Sequence, residues 1–227
     1  MENIITRRFS LEDDFMNYNS DDLLFGAMQY LATYHPEMHL LYLTKKKVKK
    51  AQNELASICG ATTRTVSRHI DRLKEKGLIK EKTLYLGANK DEYECYIFPY
   101  ERLGRYQIID NEMLWYVVST RNHQAVRVYL QLLNWYKWKA ESGEFYNFDN
   151  KDLLAKLGYS TESNNALRSG MITNILESFY REGIIDYAEY MEQKIDNKGN
   201  IVAFPQKRLL FVAEHKAQLK EAPKAKN

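Results

Sequence analysis

The sequence predicts an α+β fold, mostly α-helical, in which one plan of helices and hairpin occurs twice in tandem. Two short helical segments meet across a glycine turn within residues 54–79, which read ELASICGATTRTVSRHIDRLKEKGLI. A candidate β-hairpin follows over residues 78–99. Residues 148–212 then repeat this succession, and the segment REGII echoes EKGLI. These observations predict two domains of the same plan.

Length and composition agree with two globular domains. The chain has 227 residues, of which 44% are hydrophobic, and a domain usually has about 100 to 150 residues. No run of about 18 apolar residues occurs, so the composition predicts a soluble protein without a membrane span. The first residues lack the apolar centre of a signal peptide, and the two cysteines have no CxxC spacing. We therefore expect a cytoplasmic protein with free, buried thiols.

Changes in periodicity along the chain predict five segments. The start of the chain has no sustained period, and its end is rich in lysine and poor in apolar residues. The predicted segments are an N-terminal arm (1–19), a first domain (20–99), a linker (100–110), a second domain (111–213) and a basic C-terminal tail (214–227).

The first domain is predicted to open with a helix and a short strand. Ser20 can cap a helix whose first turn contains Asp21 and Asp22, because acids are favourable at the positive end of the helix dipole. An apolar stretch at residues 40–43 predicts a short strand. A run of lysines follows it at residues 45–50.

Apolar spacing and glycines predict the helix pair. In the second helix Val66, Ile70 and Leu73 recur at i, i+4 and i+7, which indicates a buried stripe. Gly60 stands between the two helices, where the chain needs a residue that adopts positive φ. The turn after Gly60 ends in a hydroxyl that can cap the second helix. Gly77 ends that helix.

Positive charge is concentrated on this part of the chain. Residues 40–82 contain twelve Lys or Arg against four acids, whereas the whole chain has a net charge of +3. Such a concentration is expected where a protein neutralises phosphates. Arg64 and Arg68 lie off the apolar stripe, and arginine so placed can donate two hydrogen bonds to guanine.

The spacing of residues 54–79 resembles the helix-turn-helix of winged-helix DNA-binding proteins. The resemblance implies that the second helix lies in the major groove and that the hairpin after it is the wing. The predicted DNA contacts in this domain are Lys46, Lys47, Lys49, Thr62, Thr63, Arg64, Ser67, Arg68, Arg72 and Lys90. The alternative is a well-packed helical pair that docks another protein.

The second domain is predicted to repeat these elements. Two helices are expected first, at residues 111–120 and 125–139. A helix pair follows, which turns at Gly158 and whose second helix covers residues 163–182, and a hairpin over residues 187–212 completes the plan. The inward residues of the helix at 125–139 are Val126, Leu130, Leu133 and Trp138. Helical spacing predicts that all three tryptophans, Trp115, Trp135 and Trp138, lie in the core.

The free face of the helix at residues 163–182 offers a second set of candidate DNA contacts. Asn can form two hydrogen bonds with adenine, and Arg can form two with guanine. The candidates are Asn164, Asn165, Arg168, Ser169 and Asn174, with Thr173 beside them. The alternative for this face is dimerisation or docking.

The sequence contains no motif of catalysis or of metal binding. A GxxxxGK[ST] loop for nucleoside triphosphates does not occur. His35 and His39 enclose Glu37 as HPEMH, which does not match HExxH, and Pro36 breaks the helix that this motif requires. The histidines also lack the paired motif of Tyr-dependent nicking enzymes. We therefore expect no enzymatic activity, no metal, no cofactor and no small-molecule ligand.

The tandem plan and the chain length resemble initiators of plasmid or phage replication. The resemblance implies binding of double-stranded DNA at repeated origin sequences. A second copy of the chain, in a homodimer, is a further candidate partner. Two alternatives share the fold: a transcription regulator and a centromere-binding partition protein. A third alternative, an adaptor that uses winged helices to bind protein, belongs to a different functional class.

Overall fold

The structure is a computed structural model that describes residues 6–10, 20–99, 106–140, 142–159, 165–195 and 199–220. For residues 6–10, 20, 22, 106–108, 165–167 and 220 it describes the backbone alone. Contacts divide the chain into unit 1 (Met1–Val126) and unit 2 (Arg127–Asn227).

Unit 1 combines helices with a four-stranded sheet and a two-stranded ribbon. Its elements are β1 (Thr6–Ser10), α1 (Ser20–Leu31), β2 (Thr33–His35), β3 (Leu40–Thr44), α2 (Lys45–Lys50), α3 (Gln52–Ile58), α4 (Thr63–Glu75), β4 (Lys80–Leu86), β5 (Asp91–Phe98), β6 (Tyr106–Asp110) and α5 (Asn111–Thr120). The four-stranded sheet is antiparallel in the order β2-β3-β5-β4, and β1 pairs with β6. The α1 and sheet layers meet where the rings of Phe25 and Phe98 lie 5.8 Å apart.

Unit 2 has a similar succession of elements. Helix α6 (His123–Ala140) begins before the boundary between the units and continues into unit 2. The elements that follow are β7 (Tyr146–Phe148), α7 (Asn150–Lys156), α8 (Asn165–Arg181), β8 (Ile185–Ile195), β9 (Ile201–Val212) and a 3-10 helix (Lys216–Lys220). The sheet order is β7-β9-β8, which matches β3-β5-β4 of unit 1. Phe148 and Phe179 are fully buried in this core.

Helices α3 and α7 end in the same way, because a glycine at positive φ follows each of them. Gly60 has a φ of 59° and Gly158 has a φ of 75°. The N–H of the residue after each glycine donates to the carbonyl five residues earlier, at 2.9 Å in both helices. A Cβ at Gly60 would meet no atom within 4 Å, so the backbone conformation alone favours glycine there.

Helices α4 and α8 also share one type of ending. The N–H of Leu78 donates to the carbonyl of Leu73 at 3.0 Å, and the N–H of Ile184 donates to that of Phe179 at 2.8 Å. Each of these helices leads directly into a hairpin. The repeated segments EKGLI and REGII therefore encode the same helix stop.

The ends of the predicted first domain differ from the prediction. Residues 1–19 and 100–110 were expected to be an arm and a linker, yet β1 and β6 pair along five residues each. Helix α5 packs on α1, where the rings of Tyr30 and Trp115 stack at 4.4 Å. Residues 106–120 therefore belong to unit 1 rather than to a linker and second domain. Pairing between segments so far apart leaves no local periodicity in the sequence.

The prediction for Trp138 is wrong. Trp135 is buried and stacks on Tyr146 at 4.4 Å, and Trp115 is half-buried, but Trp138 is 61% exposed. No residue of α6 after Trp135 is buried, so the helix extends beyond the core at this end. Helical spacing predicted which face of α6 is buried, but not the residue after which that face is no longer buried.

The central elements are confirmed. Helix α5 has the predicted bounds, and the hairpin strands β4, β5 and β9 lie within the ranges expected for them, whereas β8 begins at Ile185, two residues before the predicted start at residue 187. Helix α8 is described from Asn165, and the predicted residues 163 and 164 lie outside the described part. Cys59 and Cys95 are free and buried, as expected.

Candidate nucleic-acid interface

The turn between α3 and α4 is fixed by side-chain hydrogen bonds. The N-cap of α4 is Thr62, one residue before the hydroxyl predicted for this role, and its Oγ1 accepts from the N–H of Thr65 at 3.4 Å. The Nε2 of Gln52 donates to the carbonyl of Thr63 at 3.1 Å. Gln52 therefore ties the first residue of α3 to the first turn of α4, a contact that the sequence analysis did not predict.

Helix α4 has one buried face and one exposed face. Val66, Ile70 and Leu73 are buried, as their spacing predicts. The predicted residues on the exposed side of its start are Thr62, Thr63, Arg64, Ser67 and Arg68. Within the described part of the chain, Arg64, Ser67 and Arg68 have no hydrogen-bond or ion-pair partner. Three polar side chains in the first half of α4 are thus free to meet a ligand.

Arg72 in the second half of α4 turns toward a carboxylate of α1. Asp21 is only 2% exposed, and both of its oxygens accept from Nε of Arg72 at 2.9 Å. His69 contacts the same carboxylate through Nδ1, and Nζ of Lys76 lies 3.7 Å from Asp21 Oδ2. Arg72 was predicted to contact DNA, but its Nε and Nη2 atoms are used to hold α4 on α1.

The ion pairs keep Asp21 charged. Burial disfavours the carboxylate form, but hydrogen bonds from Arg72 and His69 and the charges of Arg72 and Lys76 outweigh it. The pKa of Asp21 therefore lies below its usual value. From the sequence, Asp21 was expected only to favour the helix dipole, and His69 was not predicted to be buried. The available signal was the spacing of His69, Arg72 and Lys76, which recur at i, i+3 and i+7.

Several of the lysines within residues 40–82 also have partners within unit 1. Glu81 accepts from Lys45 at 2.9 Å and from Lys74 at 3.0 Å, and these bonds lower its pKa. Lys47, a predicted DNA contact, donates to the carbonyl of Leu31 at 2.7 Å at the end of α1. The net charge counted from the sequence thus overstates the charge available to phosphates.

The remaining Lys and Arg side chains between residues 46 and 90 are exposed. We define the basic surface as Lys46, Lys49, Lys50, Arg64, Arg68, Lys80, Lys82 and Lys90, which are all exposed and have no ion-pair partner among the described residues. Lys90 lies in the hairpin turn, as predicted, with a φ of 52°. Asp91, Glu92 and Glu94 follow it on β5, so the wing is not uniformly positive.

The corresponding helix of unit 2 has a different surface. Asn150 of α7 donates through Nδ2 to Oγ1 of Thr173 at 2.9 Å and to Oγ of Ser169 at 3.3 Å. Ser169, a predicted DNA contact, is therefore half-buried and faces α7. Arg168 is exposed with its guanidinium 5.1 Å from the ring centre of Tyr159, and Asn174 is exposed.

Two predicted residues of unit 2 are not described in full. Asn164 lies outside the described residues, and the structure gives only the backbone of Asn165. Direct DNA contact by any residue of either set stays a prediction.

The described residues show neither a metal site nor a membrane span. They contain no group of three or more His, Cys, Asp or Glu side chains that could hold a metal ion. None of the described helices combines the length and the apolar character needed to cross a bilayer.

Comparison with known proteins identifies the region that contains α3 and α4. Residues 38–86 match the family model of the Crp-like helix-turn-helix domain, which is about a fifth of the chain. No curated protein and no solved structure matches the chain. The matched range includes β3, α2, α3, α4 and β4, so a helix-turn-helix domain occupies the centre of unit 1 and indicates DNA as a partner.

Proposed function

We propose that this protein binds duplex DNA sequence-specifically and acts, without enzymatic activity of its own, in the initiation of replication of a plasmid, phage or other mobile element. The observation that carries DNA binding is the division of α4 into two halves. Arg72 in its C-terminal half, and Lys76 directly after it, pair with Asp21, whereas its N-terminal half leaves Arg64, Ser67 and Arg68 exposed and unpaired among the described residues.

The N-terminal half of α4 is suited to reading bases. In a helix-turn-helix the first residues of the second helix reach base edges, and Arg can donate two hydrogen bonds to guanine O6 and N7. Arg64 and Arg68 are four residues apart, so they lie on the same side of α4. The other lysines of the basic surface supply charge for the phosphates on either side of α4.

We also propose that both units are winged helices. Helix, strand, helix pair and hairpin follow one another in the same order in both units, and the three sheet strands have the same spatial order. This duplication supports the replication role, because it offers two DNA-reading modules for repeated sites. The Crp-like match supports a second candidate, transcription regulation.

The test is a pair of titrations, one with a selected DNA site and one with a scrambled duplex. Arg64→Ala or Arg68→Ala should lose about 1–3 kcal/mol on the selected site and much less on the scrambled duplex. Arg181→Ala is the control, because Arg181 is an exposed arginine of α8 that pairs with Glu177. A melting curve for each variant establishes that it folds.

The outcomes separate the possible roles. Equal losses on both duplexes would reduce Arg64 and Arg68 to phosphate contacts, and no binding by the wild-type protein to any duplex would favour the adaptor. Selection of bound fragments from the source genome supplies the site itself. Directly repeated sites at an origin support a replication initiator, whereas a single palindrome at a promoter supports a dimeric regulator.

A further inference from the structure

The hairpin of unit 2 is longer than its core requires. Strands β8 and β9 have 11 and 12 residues, against 7 and 8 in the hairpin of unit 1. Ile185 is the buried residue of β8, and Leu209 and Val212 are those of β9. The rest of the two strands, at residues 188–195 and 201–206, forms a two-stranded ribbon with little cover, and such ribbons are marginally stable in water by themselves.

The far end of this ribbon, beyond the ion pair of Glu189 and Lys207, carries exposed side chains without charge on one face. Its residues are Met191, Gln193 and Ile195 on β8 and, opposite them, Pro205, Ala203 and Ile201 on β9. Met191, Ile195 and Ile201 are 59%, 75% and 71% exposed. Exposed apolar side chains grouped in this way commonly mark an interface. The charged pair of Glu192 and Lys194, 2.9 Å apart, lies on the opposite face.

The two edges of the ribbon differ. On β9 the outer edge is paired with β7 at residues 207–209. Pro205 lies two residues before this paired stretch. Proline is tolerated in a strand where its missing N–H would point away from the ladder, so position 205 offers no donor at the edge of β9. The outer edge of β8 contains no proline, and within the described residues it pairs with no strand.

The position of Pro205 also indicates the direction in which the backbone groups of β8 point. Pro205 lies opposite Met191, and this pair makes no backbone hydrogen bonds if the proline points outward. The N–H and C=O groups of Met191, and by the two-residue period those of Gln193 and Ile195, then point to the open edge of β8. This edge is therefore prepared to receive another strand.

We propose that β8 is a dimerisation edge that pairs antiparallel with β8 of a second copy of this chain, with Gln193 opposite Gln193. In this register Glu192 lies opposite Lys194 of the second copy, and Met191 lies opposite Ile195 of the second copy. The Glu192–Lys194 positions form a pair without backbone hydrogen bonds, in which side chains approach most closely.

Charge selects this register among its neighbours. A pairing centred on Glu192 or on Lys194 places like charges opposite each other. A pairing centred on Met191 places Glu192 opposite Tyr190 and gives Lys194 no acid. The register centred on Gln193 thus combines complementary charge with apolar contact on the uncharged face.

Two charge reversals test the proposal by sedimentation at a series of concentrations. Glu192→Lys and Lys194→Glu should each weaken dimerisation roughly tenfold or more, because two pairs of opposite charge become two pairs of like charge. A one-to-one mixture of the two variants should recover dimers, since each contact between the copies then joins Lys to Glu. Each single variant has lost its own pair within the chain, so the mixture reports only contacts between chains.

Lys156→Glu is the matched control, because Lys156 is exposed on α7 and undergoes the same charge change. It should leave dimerisation unchanged. The proposal is overturned if the wild-type protein stays monomeric at the highest attainable concentration, or if the mixture recovers no dimer. The measurement contains no DNA, so its outcome is independent of the proposed function.

Discussion

Units 1 and 2 build the same helix pair, but different polar groups hold its second helix in place. In unit 1 a buried carboxylate, Asp21, holds α4 through Arg72 and His69. In unit 2 the amide of Asn150 holds α8 through the hydroxyls of Ser169 and Thr173. Glycines and apolar spacing thus determine the helix pair, whereas the polar contacts of its second helix decide which side chains remain for a partner.

The surfaces of the two units differ accordingly. The basic surface belongs to unit 1, while the described residues of α8 on its exposed side include Arg168 and Asn174. The long ribbon belongs to unit 2. We therefore propose that unit 1 supplies most of the DNA affinity and unit 2 the self-association.

Asp21→Asn should have the largest effect, because it leaves the cations of α4 without their acid. We expect a loss of about 3 kcal/mol in the free energy of unfolding, at the low end for a broken buried pair because the Arg72 side chain is 47% exposed. Chemical denaturation at neutral pH measures it. Glu75→Gln, an exposed acid of α4, is the control and should change stability little.

The effect of Asp21→Asn should also depend on pH. The pKa of Asp21 is lower in the folded protein than in the unfolded chain, so its contribution is present above about pH 4 and is lost as pH falls through the folded pKa. The difference between wild type and variant should therefore shrink below about pH 4. A difference that stays constant down to the acid transition would contradict the role of charge.

Removal of exposed lysines should change the salt dependence of DNA binding when the lysines belong to unit 1, but not when they belong to unit 2. The double variant Lys46→Ala, Lys49→Ala should lower the slope of log affinity against log salt by about two, with roughly tenfold to hundredfold weaker binding at low salt. The matched double variant Lys151→Ala, Lys156→Ala removes two exposed lysines of α7 in unit 2 and should leave the slope almost unchanged. Similar slopes for the two variants would mean that both units contact phosphates.

Removing helix caps should have similar effects in both units. Asp149 accepts from the N–H of Asp152 at 2.8 Å, and its own N–H donates to Asp152 Oδ2 at 2.9 Å, which is a capping box. Asp149→Ala and Thr62→Ala should each cost about 1 kcal/mol in thermal unfolding. A loss of DNA affinity by Thr62→Ala larger than its loss of stability would indicate that Thr62 also contacts DNA.

The smallest effect is expected for Asn174→Ala in unit 2. If α8 reads no bases, the loss on the selected site should stay below about 0.5 kcal/mol. A loss of about 1–3 kcal/mol would show that Asn174 reads a base and that both units recognise sequence. The comparison with Arg64→Ala in the same titration makes the difference between the units quantitative.

Much of the fold could be predicted because its signals are local. Gly60 and Gly158 end helices through their own φ angles, and Val66, Ile70 and Leu73 form a buried stripe through spacing alone. Local signals were not sufficient where the burial or pairing of a residue depends on segments that are distant in the chain. Trp138 continues the helical face of α6 beyond the core, and β1 pairs with β6, which lies about a hundred residues away in the chain.

The sequence predicted which basic residues belong to the candidate site, but not which of them already have partners within the protein. The sequence located the basic residues and the helix that presents them, but it could not show that Arg72 and Lys47 already have partners in Asp21 and the Leu31 carbonyl. A charged side chain has the same sequence signature whether it faces solvent or a buried acid.

The sequence by itself determined the two helix pairs, their glycine stops and the hairpins that follow, because these depend on backbone freedom and on the period of apolar residues. The tertiary structure alone decided which cations remain exposed. Asp21 reaches α4 only after α1 and α4 have packed together, and burial of this carboxylate at 2% exposure then fixes His69 and Arg72 beside it. The division of α4 into a bonded half and a free half follows from that packing.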